Sequence, residues 1–230
     1  MLKLNWQKRK LSNYQKLWGA LIICLGLYWM YSLYNAIALP FTFHLRFLNP
    51  ERTAYMTYYN GSDSVRQEWV DMGEISPYLR QAVVMAEDGH FYEHSGFDWE
   101  AIKEAARVNW QRKELAHGAS TITQQLARNL YLSPSKNPFR KLKEFLIALK
   151  LERELSKERI LELYLNIVEW GNGIYGAQAA AQHYFGSTAR YLDKSQAAFL
   201  AAILPKPRYY EKHRGSNLLQ QRIAFIESHL

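Results

Sequence analysis

The stretch VVMAEDGHFYEHSGFDWEAI, residues 83–102, sets Glu87 and Asp88 at the end of an apolar stripe and follows them with Phe91, His94, Gly96 and Asp98. Leu79, Ala82, Val83 and Ala86 recur at helical spacing, which predicts a helix with Ser76 as its cap and Pro77 in its first turn. Glu87 lies at the edge of that apolar face. Negative charge is penalised at a helix C-terminus, where the backbone carbonyls converge. The two acids are therefore either solvated bystanders or include a carboxyl whose pKa is held up for proton transfer.

Two further stretches carry groups that could act with it. In HGASTITQQLARNLYL, residues 117–132, a glycine-containing turn leads into a helix, and Thr121 and Gln124 have capping-box spacing. Unpaired N–H groups at such a start suit phosphate oxygens, with Ser120, Gln124 and Gln125 as extra donors; taken alone, the stretch is more simply an ordinary capped helix. The next stretch, residues 133–154, predicts a helix apolar on two faces. Leu142, Phe145, Leu146 and Leu149 line one face, while Glu144 shares the other with Ile147, Ala148 and Leu151. Arg128, Lys136, Arg140 and Lys141 gather around helix ends, where cations can clamp phosphate. Ion pairing at three- and four-residue spacing is the plainer reading of Arg140, Lys141 and Glu144. A base plus a phosphate clamp suits glycosyl transfer from a diphosphate: the base activates a hydroxyl and the cations meet the departing charge.

Other motifs carry less. Ser133-x-x-Lys136 matches the nucleophile pattern of penicillin-binding transpeptidases, but the chain has no Lys-Thr-Gly partner. His90 and His94 stand four apart without a cysteine or third histidine nearby, a poor basis for zinc.

These groups need elements to position them. Helical patterns run over about 99–114, 121–131, 138–155, 157–168, 174–184, 193–203 and 216–229, and Asn60-Gly61 suggests a hairpin turn within 40–75. The fold class expected is mainly α. Of the net charge of +8, residues 1–16 contribute +5 through Lys3, Lys8, Arg9, Lys10 and Lys16, leaving +3 for the rest. That distribution argues against a nucleic-acid face. No charged side chain occurs from Leu17 to Leu45, which predicts a transmembrane helix over 17–39 behind a cytoplasmic basic tail, 1–16. Ala36-x-Ala38 allows the alternative of a cleaved signal peptide. A membrane-proximal linker or hairpin, 40–75, and a catalytic domain, 76–230, complete the expected organisation. The one cysteine, Cys24, falls in the apolar segment, so the remainder forms no disulfide.

The blocks EDGHFYEHSGFD (87–98), GASTITQQLARNLYL (118–132), RKLKE (140–144), KERILELYLNIVEWGNGIYGAQAAAQHYFG (157–186) and, more weakly, AAFLAAILPKPRYY (197–210) resemble, in this order, the peptidoglycan glycosyltransferases of family 51, specifically the monofunctional biosynthetic transglycosylases. The resemblance implies a lysozyme-like helical domain with a small membrane-proximal lobe. It also implies polymerisation of lipid II into β-1,4-linked glycan, with inversion and release of undecaprenyl diphosphate. Glu87 resembles the general base and Glu144 the donor-site glutamate, which either orients the diphosphate or helps hold a divalent cation, magnesium or manganese. No cofactor is otherwise required. Arg128, Lys136, Arg140 and Lys141 match diphosphate contacts, and Ser120, Gln124, Gln125 and Asn129 match polar groups lining the cleft. Asp88 matches in a supporting role, and the block from 157 to 186 looks like scaffold.

Gly89 stands where arginine is common, and Ala119 replaces the second glycine of Gly-Gly-Ser-Thr. The implied partners are lipid II, the lipid-linked glycan, the membrane and other proteins of cell-wall synthesis or division, with no nucleic acid. The implied location is the bacterial inner membrane, single-pass, with the catalytic domain outside the cytoplasm. The rival readings are a peptidoglycan hydrolase or lytic transglycosylase on the same fold, and a non-catalytic, membrane-tethered scaffold for anionic ligands.

Overall fold

A computed structural model describes residues 13–61, 65–112, 120–134 and 138–230. The described residues fall into two compact units, one ending at Leu39 and the other beginning at Pro40. The first contains the helix α1, Asn13–Ile37. Among the described residues no helix is long and apolar enough to cross a membrane. This corrects the expected transmembrane helix over 17–39, and with it the expected single-pass location in the inner membrane. The strongly apolar run is Leu17–Leu27; at helical rise it extends only about 17 Å against a hydrocarbon core of about 30 Å. Beyond it Tyr28, Trp29, Tyr31, Ser32, Tyr34 and Asn35 dilute the hydropathy. Absence of charge and length of apolar surface are different quantities, and this segment has the first without the second.

The second unit is mainly helical and lysozyme-like. Its helices are α2 (Ala54–Asn60), α3 (Pro77–Glu87), α4 (Trp99–Arg112), α5 (Ile122–Tyr131), α6 (Pro138–Glu154), α7 (Lys157–Ile167), α8 (Ala177–Phe185), α9 (Lys194–Ile203), α10 (Pro207–Lys212) and α11 (Asn217–Ser228). Three very short strands, β1 (Arg66–Gln67), β2 (Glu169–Gly171) and β3 (Ile174–Tyr175), form a sheet in the order β1-β3-β2. β1 runs parallel to β3, and β2 runs antiparallel to it. The turn signal at Asn60-Gly61 ends a helix instead of joining strands. Gly61 has φ 55° and its N–H caps the carbonyl of Thr57, a helix-terminating use of the same residue preference. Helix α8 begins at Ala177, not 174, because Ile174 and Tyr175 are engaged in the sheet.

Two helix groups build the core. Helix α5 packs against α2, α6 and α7 and buries Ile122, Leu126, Ala127 and Leu130. Helix α9 packs against both α3 and α11. Its buried Ala197, Ala198, Ala201 and Ala202 let both neighbours come close. Helix α6 buries the face bearing Glu144, Ile147, Ala148 and Leu151, whereas Leu142 and Leu149 of its other apolar stripe are exposed.

The segment after β1 is held to α7 by Asn166, which is fully buried. Its side-chain amide accepts from Val70 N–H and donates to Val70 C=O, both at 2.9 Å, as a paired strand would. The Asn166 carbonyl lies so near Gly176 that a Cβ there would sit 2.6 Å from it, and Gly176 has φ +82°. Gly176→Ala must therefore strain both the backbone and this packing. It should cost at least about 2 kcal/mol and lower the melting temperature by on the order of 5 °C; an unchanged melting curve would show that the segment yields freely.

Candidate active site

The end of α3 meets the start of α5. Thr121 caps α5 by accepting from Gln124 N–H, and the Gln124 side chain returns a bond to Thr121 N–H, completing the expected capping box. Asp88 adds a second tie. One of its carboxyl oxygens accepts from Ile122 N–H at 2.9 Å and the other pairs with His94 Nε2 at 2.8 Å. Gly96 N–H donates to His94 Nδ1, so Nε2 carries the proton that faces Asp88. Asp88 is thus occupied in joining two helices and a turn, a placement role. Ser76 holds the cap position of α3, but its hydroxyl donates to Leu192 C=O and does not cap the helix.

Glu87 closes α3 with a side chain only 11% exposed. Burial pushes its pKa up, opposed by a hydrogen bond from Gln125 and by the positive charges of Arg222 and Arg128; the charge of Asp88 adds to the upward push. Gln125 Nε2 donates to one Glu87 oxygen at 2.9 Å, and Arg222 Nη2 reaches the other at 3.2 Å. Glu87 and Ser120 line one small cavity of about 170 Å³, together with Met85, Asp88, Asp98 and Thr121.

Ser120 connects this carboxyl to the second acid. Its carbonyl accepts from Gln125 Nε2 at 3.4 Å, and its hydroxyl accepts from Lys141 Nζ at 3.2 Å. Lys141 also bonds Glu144, which is 1% exposed and whose other oxygen takes Arg140 Nη1 at 3.0 Å. Arg140, Lys141 and Glu144 thus form a compact group next to Ser120. Arg128 lies on the same face of α5 as Gln125 and forms no ion pair among the described residues. Asn129 is buried one turn beyond Gln125. Gln124 is buried, and its side-chain oxygen accepts from Thr121 N–H in the capping box. Lys136 lies outside the described residues.

No group of three or more His, Cys, Asp or Glu side chains that could hold a metal occurs among the described residues. His90 pairs with Asp98 and His94 with Asp88, so the two histidines serve different carboxylates. Two groups at Glu87 escaped sequence reasoning. Arg222 arrives from α11, 135 positions away, and Tyr164 donates to Gln125 from a block that reads as scaffold. Neither has a local spacing that would reveal it.

The arrangement places a buried carboxyl of raised pKa near a cationic group at the start of α6, groups of the kind that acid–base chemistry with an anionic leaving group uses. The family model described as Transglycosylase matches residues 53–230. A biosynthetic peptidoglycan transglycosylase of Alcanivorax borkumensis is 50% identical over 79% of this chain and 74% of that protein. Relatives of the same description from Methylobacillus flagellatus and Chromobacterium violaceum are 45% and 42% identical, over 79% and 86% of this chain and 82% and 92% of their own lengths. The chain belongs to the transglycosylase family and is a glycosyltransferase.

The contact between Arg222 and Glu87 has a measurable consequence. The guanidinium favours the ionised carboxylate, so its removal in Arg222→Met should move the Glu87 titration midpoint upward, by roughly half a pH unit or more. Carboxyl-labelled NMR reads this directly; a midpoint that stays put would mean that solvent screens the pair completely.

Proposed function

We propose that this peptidoglycan glycosyltransferase polymerises lipid II, with Glu87 as general base and the cations around Ser120 and Glu144 as the diphosphate site. The observation that carries the reading is the continuous link from Glu87 through Gln125 and Ser120 to Lys141 and Glu144. It joins a proton acceptor to positive charge through four hydrogen bonds.

In this scheme the ionised Glu87 takes the proton of the acceptor's 4-hydroxyl as that oxygen bonds to the donor's anomeric carbon. The bond from that carbon to the diphosphate oxygen breaks on the opposite face, so the α-linked donor gives a β-1,4 product. Charge grows on the departing diphosphate, where Arg128, Arg140 and Lys141 meet it. Arg128 suits this duty because no carboxylate among the described residues neutralises it by direct pairing. Glu144 holds Arg140 and Lys141 in position and orients them toward the diphosphate. A divalent cation fits poorly at Glu144, since both carboxyl oxygens already face cations in a nearly closed setting. Proton and charge handling then rest on the chain's own residues. Growing lipid-linked glycan is the donor in this reading, and lipid II the acceptor; other proteins of cell-wall synthesis or division are its further partners.

A hydrolase on the same frame would need Glu87 as an acid and would leave the cations without a task. The two chemistries separate in one experiment. Purified protein given lipid II should form polymer, and Glu87→Gln should lose at least about a hundredfold in rate while its melting curve persists. Cleavage of mature glycan without polymer formation would transfer the assignment to the hydrolase, and an active Glu87→Gln would remove the base.

A further inference from the structure

Gln125 is the only neutral donor to Glu87 among the described contacts, and a primary amide presents both a donor end and an acceptor end. Which end faces the carboxyl decides whether the amide favours the ionised or the protonated form. The donor end stabilises the carboxylate; a flipped amide would accept from the carboxylic acid instead. Something must therefore hold the amide in one orientation.

We propose that Tyr164 is a positioning residue for the transfer reaction, acting through Gln125 to keep the amide nitrogen directed at Glu87. The inference rests on the assignment of Glu87 as base. The Tyr164 hydroxyl donates to Gln125 Oε1 at 3.0 Å, while Gln125 Nε2 serves Glu87 Oε2 at 2.9 Å and the Ser120 carbonyl at 3.4 Å. All these groups are complementary in one orientation only. The amide oxygen meets a hydroxyl, and its two N–H groups meet a carboxylate and a carbonyl. In the reverse orientation the amide oxygen would confront both acceptors.

Tyr164 is suited to be the fixed end of this relay. It is fully buried on α7, the helix that packs on α5. Ser156 caps α7 by accepting from Arg159 N–H, and Asn166 anchors its far end to Val70. Burial pushes the phenol pKa well up, with the Glu87 charge adding to the rise, so the hydroxyl keeps its proton across the working pH range. Tyr164 is 0% exposed and its hydroxyl bonds Gln125, so its hydroxyl acts on the site through that amide. A tyrosine retained only for packing would have no such need of its hydroxyl.

The test uses lipid II polymerisation by the whole protein across pH, with Tyr164→Phe, Gln125→Ala, the double variant and Glu87→Gln. Tyr164→Phe keeps the ring and its packing. Without the hydroxyl the amide can turn to accept from the protonated acid, so the Glu87 midpoint rises. The acid limb of kcat should therefore shift upward by roughly half a unit, with kcat at neutral pH falling about three- to tenfold and KM little changed. In the Gln125→Ala background the same substitution should add no further loss or shift.

An unmoved acid limb in Tyr164→Phe, or an equal loss with Gln125 already absent, would overturn the relay even if melting temperature fell. Glu87→Gln separates the levels. Inactivity there with an unmoved Tyr164→Phe profile defeats the relay alone, whereas activity there defeats the base and the relay together.

Discussion

The site turns on one unfavourable act, the burial of the Glu87 carboxyl at the C-terminal end of α3. Desolvation and the nearby helix carbonyls both oppose its ionisation. A side chain in that setting keeps useful basicity only if specific groups support the charged form without saturating it. Gln125 and Arg222 supply that support, one as a neutral donor and one as a cation, each to a different carboxyl oxygen. Burial wins that balance, so the Glu87 pKa stands above its ordinary value while Gln125 and Arg222 hold the rise back.

The surrounding architecture can be understood as what brings those two groups to one carboxyl. Asp88 joins the end of α3 to the first N–H of α5 and so sets Gln125 against Glu87. On the other side, the alanine face of α9 lets α3 and α11 pack on it closely enough for Arg222 to arrive. Glu144 is handled differently. It is almost fully enclosed, yet Arg140 and Lys141 cover its two oxygens, so the group is internally paired with Lys141 still half exposed. Buried charge is tolerated in both places because a partner is present, two cations at Glu144 and an amide with one cation at Glu87.

The parts of this arrangement legible in the sequence are those written in local spacing. The capping box at Thr121, the acids at the end of α3 and the i,i+3 and i,i+4 placement of Lys141 and Arg140 around Glu144 all fall within a few residues. So do most helices, whose apolar periodicity extends over several turns. Arg222 and Tyr164 meet the site across 135 and 39 positions, and no pattern in their own helices marks them. The short strands are equally hidden, because two or three residues are too few to show alternation. Asn60-Gly61 misled for a different reason: a glycine of positive φ serves a hairpin turn and a helix end alike. The segment 17–39 misled because lack of charge is a weaker property than sustained hydropathy.

The account depends on a single ionisation. The direct measurement follows the carboxyl-labelled Glu87 resonance against pH in the native enzyme and compares its midpoint with the acid limb of the polymerisation rate. The two should coincide, both above the ordinary glutamate range of about 4.3, with activity falling as pH drops and Glu87 takes up its proton. A rate limb that departs from the Glu87 titration, or a midpoint at the ordinary value, would contradict the account.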